Sequence, residues 1–200
     1  PEVFRKGVNA YLRAHANGNA TSADFWRAEA QASGKPIDQV MPTFVLQPGV
    51  PMLTVTSSCN GDKAQAAFTQ QRFFLSPERL NAGSSEQWQI PVCMKFAGTD
   101  TCSLVTAKTQ ETSLGKCPAW LFANRNAKGY YRVAYTKAEL HAVAGVAESQ
   151  LNAPERIALI EDTWAMTRVG KNSVGDFLGL AEALPSERAD LRMRMFNPDG

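Results

Sequence analysis

The chain reads as an α+β multidomain fragment: a small antiparallel β-sandwich flanked by N-terminal helices and by a C-terminal α-helical, solenoid-like segment. Two observations predict this class. Apolar residues recur with helical spacing up to about Leu46, with alternating spacing from Gln47 to Tyr135, and with helical spacing again from Thr136 onward. At 200 residues and 44% hydrophobic, the chain is also long enough to bury a real core. The expected divisions are 1–46, 47–135 and 136–200.

In the first zone, Phe4, Val8, Tyr11 and Leu12 fall on one helical face, and Asn17-Gly18 follows as a stop signal. A second helix is expected to start at Thr21 or Ser22, where Thr21 and Asp24 approximate a capping box and Phe25, Trp26 and Ala30 supply a short apolar side. A third is marked by Pro36 near its start and by Ile37, Val40, Met41, Phe44 and Val45. Pro42 sits inside that pattern, so the helix either kinks there or takes Pro42 into its first turn.

The second zone contains short runs rich in β-branched and aromatic residues: 52–56, 66–75, 89–96, 103–109, 120–123 and 130–135. Turn residues separate them at near-regular spacing, which suggests a small antiparallel sandwich. The last two runs read as a hairpin closed by 124–129, with Gly129 suited to a left-handed backbone position.

The third zone opens with a Thr136-x-x-Glu139 capping box, after which Leu140, Val143, Ala144, Ala147 and Leu151 trace an apolar stripe. Asn152-Ala-Pro154 punctuates it. A further helix carries Ile157, Ile160 and Trp164 and stops near Gly170; Ser173 caps another through Phe177, Leu180, Ala181 and Leu184, before Pro185. Past Pro185 the pattern fades, and the tail is expected to be frayed or extraneous, with Arg188, Arg192 and Arg194 as solvated surface.

Charge is nearly balanced, 21 Lys and Arg against 19 Asp and Glu, so no strong field draws the chain to nucleic acid or an anionic membrane. No stretch approaches the roughly 20 apolar residues that span a bilayer, and Pro1-Glu-Val-Phe-Arg-Lys6 lacks a signal-peptide layout. The abrupt helical start at Val3 predicts a part upstream. Cys59, Cys93, Cys102 and Cys117 lack the C-x-x-C knuckles of a zinc site. Paired disulfides in an oxidising compartment, periplasmic or secreted, fit them better than reduced buried thiols. Three connectivities are open, and Cys59–Cys93 with Cys102–Cys117 is the one expected.

Several spaced segments carry a resemblance: Asn17-Gly-Asn19, Gln47-Pro-Gly-Val-Pro51, Gln71-Arg-Phe-Phe74, Trp88-Gln-Ile-Pro91 and Gly129-Tyr-Tyr-Arg-Val133. In that order, and extended by Arg156, Leu159-Ile160, Asp162, Gly170 and Ser173, they resemble zinc aminopeptidases of the aminopeptidase N type from about Val3 to Leu184. The resemblance implies the end of a catalytic domain, a whole β-sandwich domain and the first helices of a C-terminal helical domain. That family removes N-terminal residues from peptides with zinc held by two histidines and a downstream glutamate. All of that machinery precedes the matched region, so the resemblance assigns no catalytic, cofactor or metal residue to this chain. The only histidines, His15 and His141, belong to no H-E-x-x-H helix, and zinc is expected in the parent protein alone.

Other candidates have simpler structural explanations. His15 suits a helix C-terminus and His141 a helix surface. Glu86 and the pair Glu161-Asp162 read as exposed charges, and Ser57-Ser58 and Ser84-Ser85 as turn residues without a G-x-S-x-G setting. The aromatics Phe73, Phe74, Trp88, Trp120, Tyr130, Tyr131 and Tyr135 lack the accompanying Lys and Arg of a nucleic-acid platform and are expected to pack a core. Arg72 and Arg132 are expected to make structural charge-assisted hydrogen bonds. The functional expectation is an inactive scaffold or linker whose partners are the remaining domains of the parent. An isolated piece would expose Phe4, Tyr11 and Trp26, favouring a homodimer or domain swap. The alternative is a freestanding secreted β-sandwich module binding protein or glycan.

Overall fold

The computed structural model describes residues 1–61 and 63–187; Arg188, Arg192, Arg194 and the rest of the tail lie outside the described residues. The chain divides into two compact units, Pro1–Pro48 and Gly49–Gly200. The mixed α+β character expected from the sequence is observed.

The first unit holds α1 (Glu2–Ala14), α2 (Ser22–Ser33) and α3 (Ile37–Val45). α2 starts at the predicted capping box: the Asp24 N–H donates to Thr21 Oγ1 at 3.3 Å and the Thr21 N–H donates to Asp24 Oδ2 at 2.9 Å. The Phe25 ring meets Phe4 and Tyr11 edge-on at 6.4 and 5.3 Å between centroids. α1 approaches α2 closely because it presents Gly7, where an added Cβ would collide with the Glu29 carboxyl. The predicted apolar face of α1 is only partly covered, with Phe4 59% and Leu12 60% exposed. Tyr11 is half-buried, and Trp26, expected at the surface of an isolated piece, is buried. α3 runs through Pro42 rather than starting there, giving up one backbone hydrogen bond.

The second unit is built on a long antiparallel hairpin of β1 (Pro51–Asn60) and β2 (Lys63–Arg72). Next come α4 (Pro77–Ala82), then a second hairpin of β3 (Ile90–Phe96) and β4 (Thr99–Val105), then β5 (Thr109–Ser113). β6 (Arg132–Tyr135) leads into α5 (Lys137–Gln150), α6 (Ala153–Arg168) and α7 (Val174–Ala183). One sheet has the order β5-β2-β1-β6 and the other pairs β3 with β4. β2 buries Ala64, Ala66, Phe68 and Gln70 at alternate positions, and β3 buries Ile90, Val92, Met94 and Phe96 in the same way. The amide of buried Gln70 is satisfied by Trp88: its Oε1 accepts from Trp88 N at 2.8 Å and its Nε2 donates to Trp88 O at 2.9 Å. This fastens β2 to the segment entering β3.

The structure corrects four expectations. The 120–123 and 130–135 runs do not form a hairpin: β6 lies parallel to β1, and Phe122 instead bridges Lys95 of β3. The reason is that the backbone of Ala123 is already occupied. Tyr131 Oη donates to its carbonyl at 2.7 Å, and its N–H donates to Tyr135 Oη at 2.9 Å. Gly129 is not left-handed; positive φ falls on Asn126 (58°) and Ala127 (52°), and Gly129 is required because a Cβ would enter the Tyr131 ring. On α6 the buried stripe is Leu159, Ile160, Thr163 and Met166, while Trp164 is 36% exposed beside Phe177. α4, capped by Ser76 with Pro77 in its first turn, lies between the 66–75 and 89–96 runs, where the sequence reading placed no element.

The fourth correction concerns the cysteines, which pair as Cys59–Cys117 and Cys93–Cys102. Register explains it: Cys93 and Cys102 are directly opposed in the β3–β4 ladder, with Cα atoms 4.0 Å apart. Cys59, near the end of β1, ties the first hairpin to the loop after β5. The bridges close sequence separations of 58 and 9 residues. Loop-closure entropy then predicts that removing them costs about 4 and about 2.5 kcal/mol respectively. Chemical denaturation of the two double-serine variants, C59S/C117S and C93S/C102S, should show the first to be the less stable.

Candidate functional site

Where the helices of the second unit meet its strands, three carboxylates reach across to backbone N–H groups. Glu139 is the N3 residue of the α5 capping box, so its Oε2 accepts from Thr136 N at 3.2 Å and from Thr136 Oγ1 at 2.8 Å. Its Oε1 accepts from the N–H of Ser57 on β1. Glu155, fully buried, repeats this logic on α6. Its Oε2 accepts from Asn152 N at 2.9 Å, while its Oε1 accepts from Asn126 N at 2.8 Å in the loop before β6.

Lys95 of β3 completes the arrangement around Glu155. Its Nζ lies 3.2 Å from Glu155 Oε2 and donates to the carbonyl of Gln150, at the end of α5, at 2.5 Å. One lysine thus ties the second sheet to two helices. Asp162, on the same helix two turns on, accepts from Val133 N at 3.0 Å and from Arg132 Nη1 at 3.2 Å. Burial pushes its carboxyl up to about 7, against the opposing pull of Arg132 and the Val133 N–H. Burial likewise raises the phenols of Tyr131 and Tyr135, which stay neutral and serve as hydrogen-bonding groups.

A groove of about 420 Å³ lies beside Glu139, lined by Thr56, Ser57, Trp120, Leu121 and Thr136 among others. Both Glu139 oxygens already accept protein donors, so the groove presents no open carboxylate for a metal or a general base. Among the described residues no group of three or more His, Cys, Asp or Glu is placed to hold a metal ion. All four cysteines are in disulfides. No described helix is long and apolar enough to cross a membrane.

The singled-out residues are scattered rather than convergent. His15 caps α1 in the first unit, 5.4 Å from the Tyr11 ring, and His141 is exposed on α5. Ser57 contributes its backbone to Glu139, and Ser84 Oγ accepts from Arg72 N at 2.8 Å. Ser58 and Ser85 are exposed. Two acids depart from the surface expectation. Asp162 is buried, and Glu86 is half-buried, its carboxyl held below the usual range by its own backbone N–H and by Arg72 at 2.9 Å. Trp88, Trp120, Tyr131 and Tyr135 are core residues. Phe73 and Phe74 pack against the cluster of Met52, Leu80, Ala134 and Met166, while Tyr130 is 67% exposed.

Arg72 and Arg132 make the charge-assisted bonds expected of them. The Arg72 guanidinium also covers Gly49, whose φ of 99° and missing Cβ admit it, and sits 4.8 Å from the Phe74 ring centroid. The carboxylate links were beyond the reach of sequence reasoning. The capping pattern Thr136-x-x-Glu139 was legible, whereas the second oxygen's partner, 82 residues away, had no local signal.

Comparison with known proteins places these contacts in context. The family described as the ERAP1-like C-terminal domain matches residues 120–192. A glutamyl aminopeptidase of Bitis rhinoceros is 30% identical over 94% of this chain and 20% of its own length. Probable aminopeptidase 1 of Sulfurisphaera tokodaii is 30% identical over 94% of the chain and 22% of its own length. Tricorn protease-interacting factor F2 of Thermoplasma acidophilum is 32% identical over 88% of the chain and 21% of its own length. The chain spans about a fifth of the length of these relatives.

The raised Asp162 carboxyl makes a signed prediction. The unfolded chain loses this proton near the ordinary carboxyl range and the folded chain near 7. Between roughly pH 4 and 7 the native state therefore holds more protons, and the stability contribution falls as pH rises. Urea midpoints measured from pH 5 to 8 should show a downward component in the wild type that Asp162→Asn removes.

Proposed function

We propose that this chain, a segment of the aminopeptidase N-like family, is the non-catalytic scaffold region of a zinc-dependent aminopeptidase that removes N-terminal residues from peptides. On this reading residues 1–46 end the catalytic domain, 47–135 form the β-sandwich domain and 136–200 open the C-terminal helical domain. The sandwich holds its two neighbours in fixed relation. Zinc and the peptide substrate belong to the parent, bound by parts outside this chain, and the remaining domains are its partners.

One observation carries the reading: the residues that carry the resemblance contact one another instead of converging on a cleft. Arg72 covers Gly49 and Tyr131 covers Gly129, Arg132 pairs with Asp162 at 3.2 Å, and Tyr131 and Tyr135 both clasp Ala123. Contacts of this kind hold elements in place and commit these side chains to the fold rather than to activating water. The two disulfides support a periplasmic or secreted parent. The uncovered Phe4 and Leu12 of α1 support burial of that face by the catalytic domain, or by a second copy when the piece is alone.

Metal analysis of the purified chain, together with an aminoacyl-arylamide assay, tests the proposal. The chain should hold no stoichiometric zinc and release no arylamine. One zinc per chain, or turnover above the buffer rate, overturns it.

A further inference from the structure

We propose that Asn19 is an acceptor for N-linked glycosylation, taking an oligosaccharide from a lipid-pyrophosphate donor. The inference goes beyond the scaffold reading and rests on its proposal of an oxidising compartment. Among the ten asparagines of the chain, only Asn19 is followed two residues later by Ser or Thr, in Asn19-Ala20-Thr21, with no proline between. The motif lies in the connection between α1 and α2, and residues 16–23 are all exposed. A branched sugar at Asn19 Nδ2 therefore meets solvent, not core. In transfer, Nδ2 loses a proton and bonds to the anomeric carbon of the sugar, while the bond from that carbon to the lipid pyrophosphate breaks.

The fold also sets when this can happen. The Thr21 hydroxyl, which the transferring enzyme reads, donates to Asp24 Oδ2 at 2.7 Å and accepts from the Asp24 N–H at 3.3 Å in the folded unit. Capping of α2 and recognition by the enzyme use the same group, so attachment precedes formation of the cap, during entry of the unfolded chain.

The chain can be directed into the secretory pathway of a glycosylating cell behind a cleavable signal sequence, and its mass read before and after an amide-cleaving glycosidase. Wild type and Thr21→Ser should carry one glycan, removed with conversion of residue 19 to aspartate. Asn19→Gln and Thr21→Ala should carry none. Because attachment precedes folding, cell lysate suffices for variants that fold poorly. Wild type that has the mass of its bare polypeptide, unchanged by the glycosidase, overturns the proposal. The imposed signal tests Asn19 whatever compartment the parent occupies, and the thiol content of the parent from its own cell judges the compartment separately.

Discussion

Backbone N–H groups within β1, in the loop before β6 and in β6 itself meet the helices of the second unit, and a covered donor must be satisfied or it costs the fold its desolvation energy. Glu139, Glu155 and Asp162 meet that constraint for Ser57, Asn126 and Val133. A covered donor left without its acceptor costs about 1–3 kcal/mol, so losing all three bonds is comparable with the whole margin of a small domain's stability. Two of the three acids also close capping boxes at the N-termini of α5 and α6. Each helix start is thereby coupled to the sheet: the chain cannot unwind the first turn without also releasing a strand or loop N–H.

A second set of side-chain bonds acts on the loop between the sheets. Asn124 closes it through Gly129, donating to its carbonyl at 3.2 Å and accepting from its N–H at 2.8 Å. The two phenols on Ala123 then direct the chain away from a hairpin and into a strand parallel to β1. The aromatic residues are buried for their area, but their hydroxyls decide topology. The hydroxyls of Tyr131 and Tyr135 and the amide of Asn124 are thereby committed to the backbone of this region.

Much of the fold was legible in the sequence where the signal is local. Capping boxes at Thr21 and Thr136, the Ser173 cap and the alternation along β3 all depend on residues a few positions apart, and all are observed. Failures came where the deciding partner is distant in sequence. Alternation around Tyr131 and Tyr135 reports a strand but not its neighbour, so a parallel partner some 80 residues away was read as a nearby antiparallel one. Cysteine pairing needed the β3–β4 register. Asp162 looked like an ordinary helix charge and nothing distinguished Glu155, because the Asn126 and Val133 N–H groups from which they accept leave no mark in composition.

If the carboxylate bridges bind helices and strands into one cooperative body, the amides of Ser57, Asn126 and Val133 are the direct reporters. Native-state hydrogen exchange resolved at these three amides tests this. The account predicts that all three exchange with the same free energy and denaturant dependence as the most protected amides of β1 and α6. Independent, low-energy opening of the three, with α5 and α6 exchanging ahead of the sheet, would contradict it.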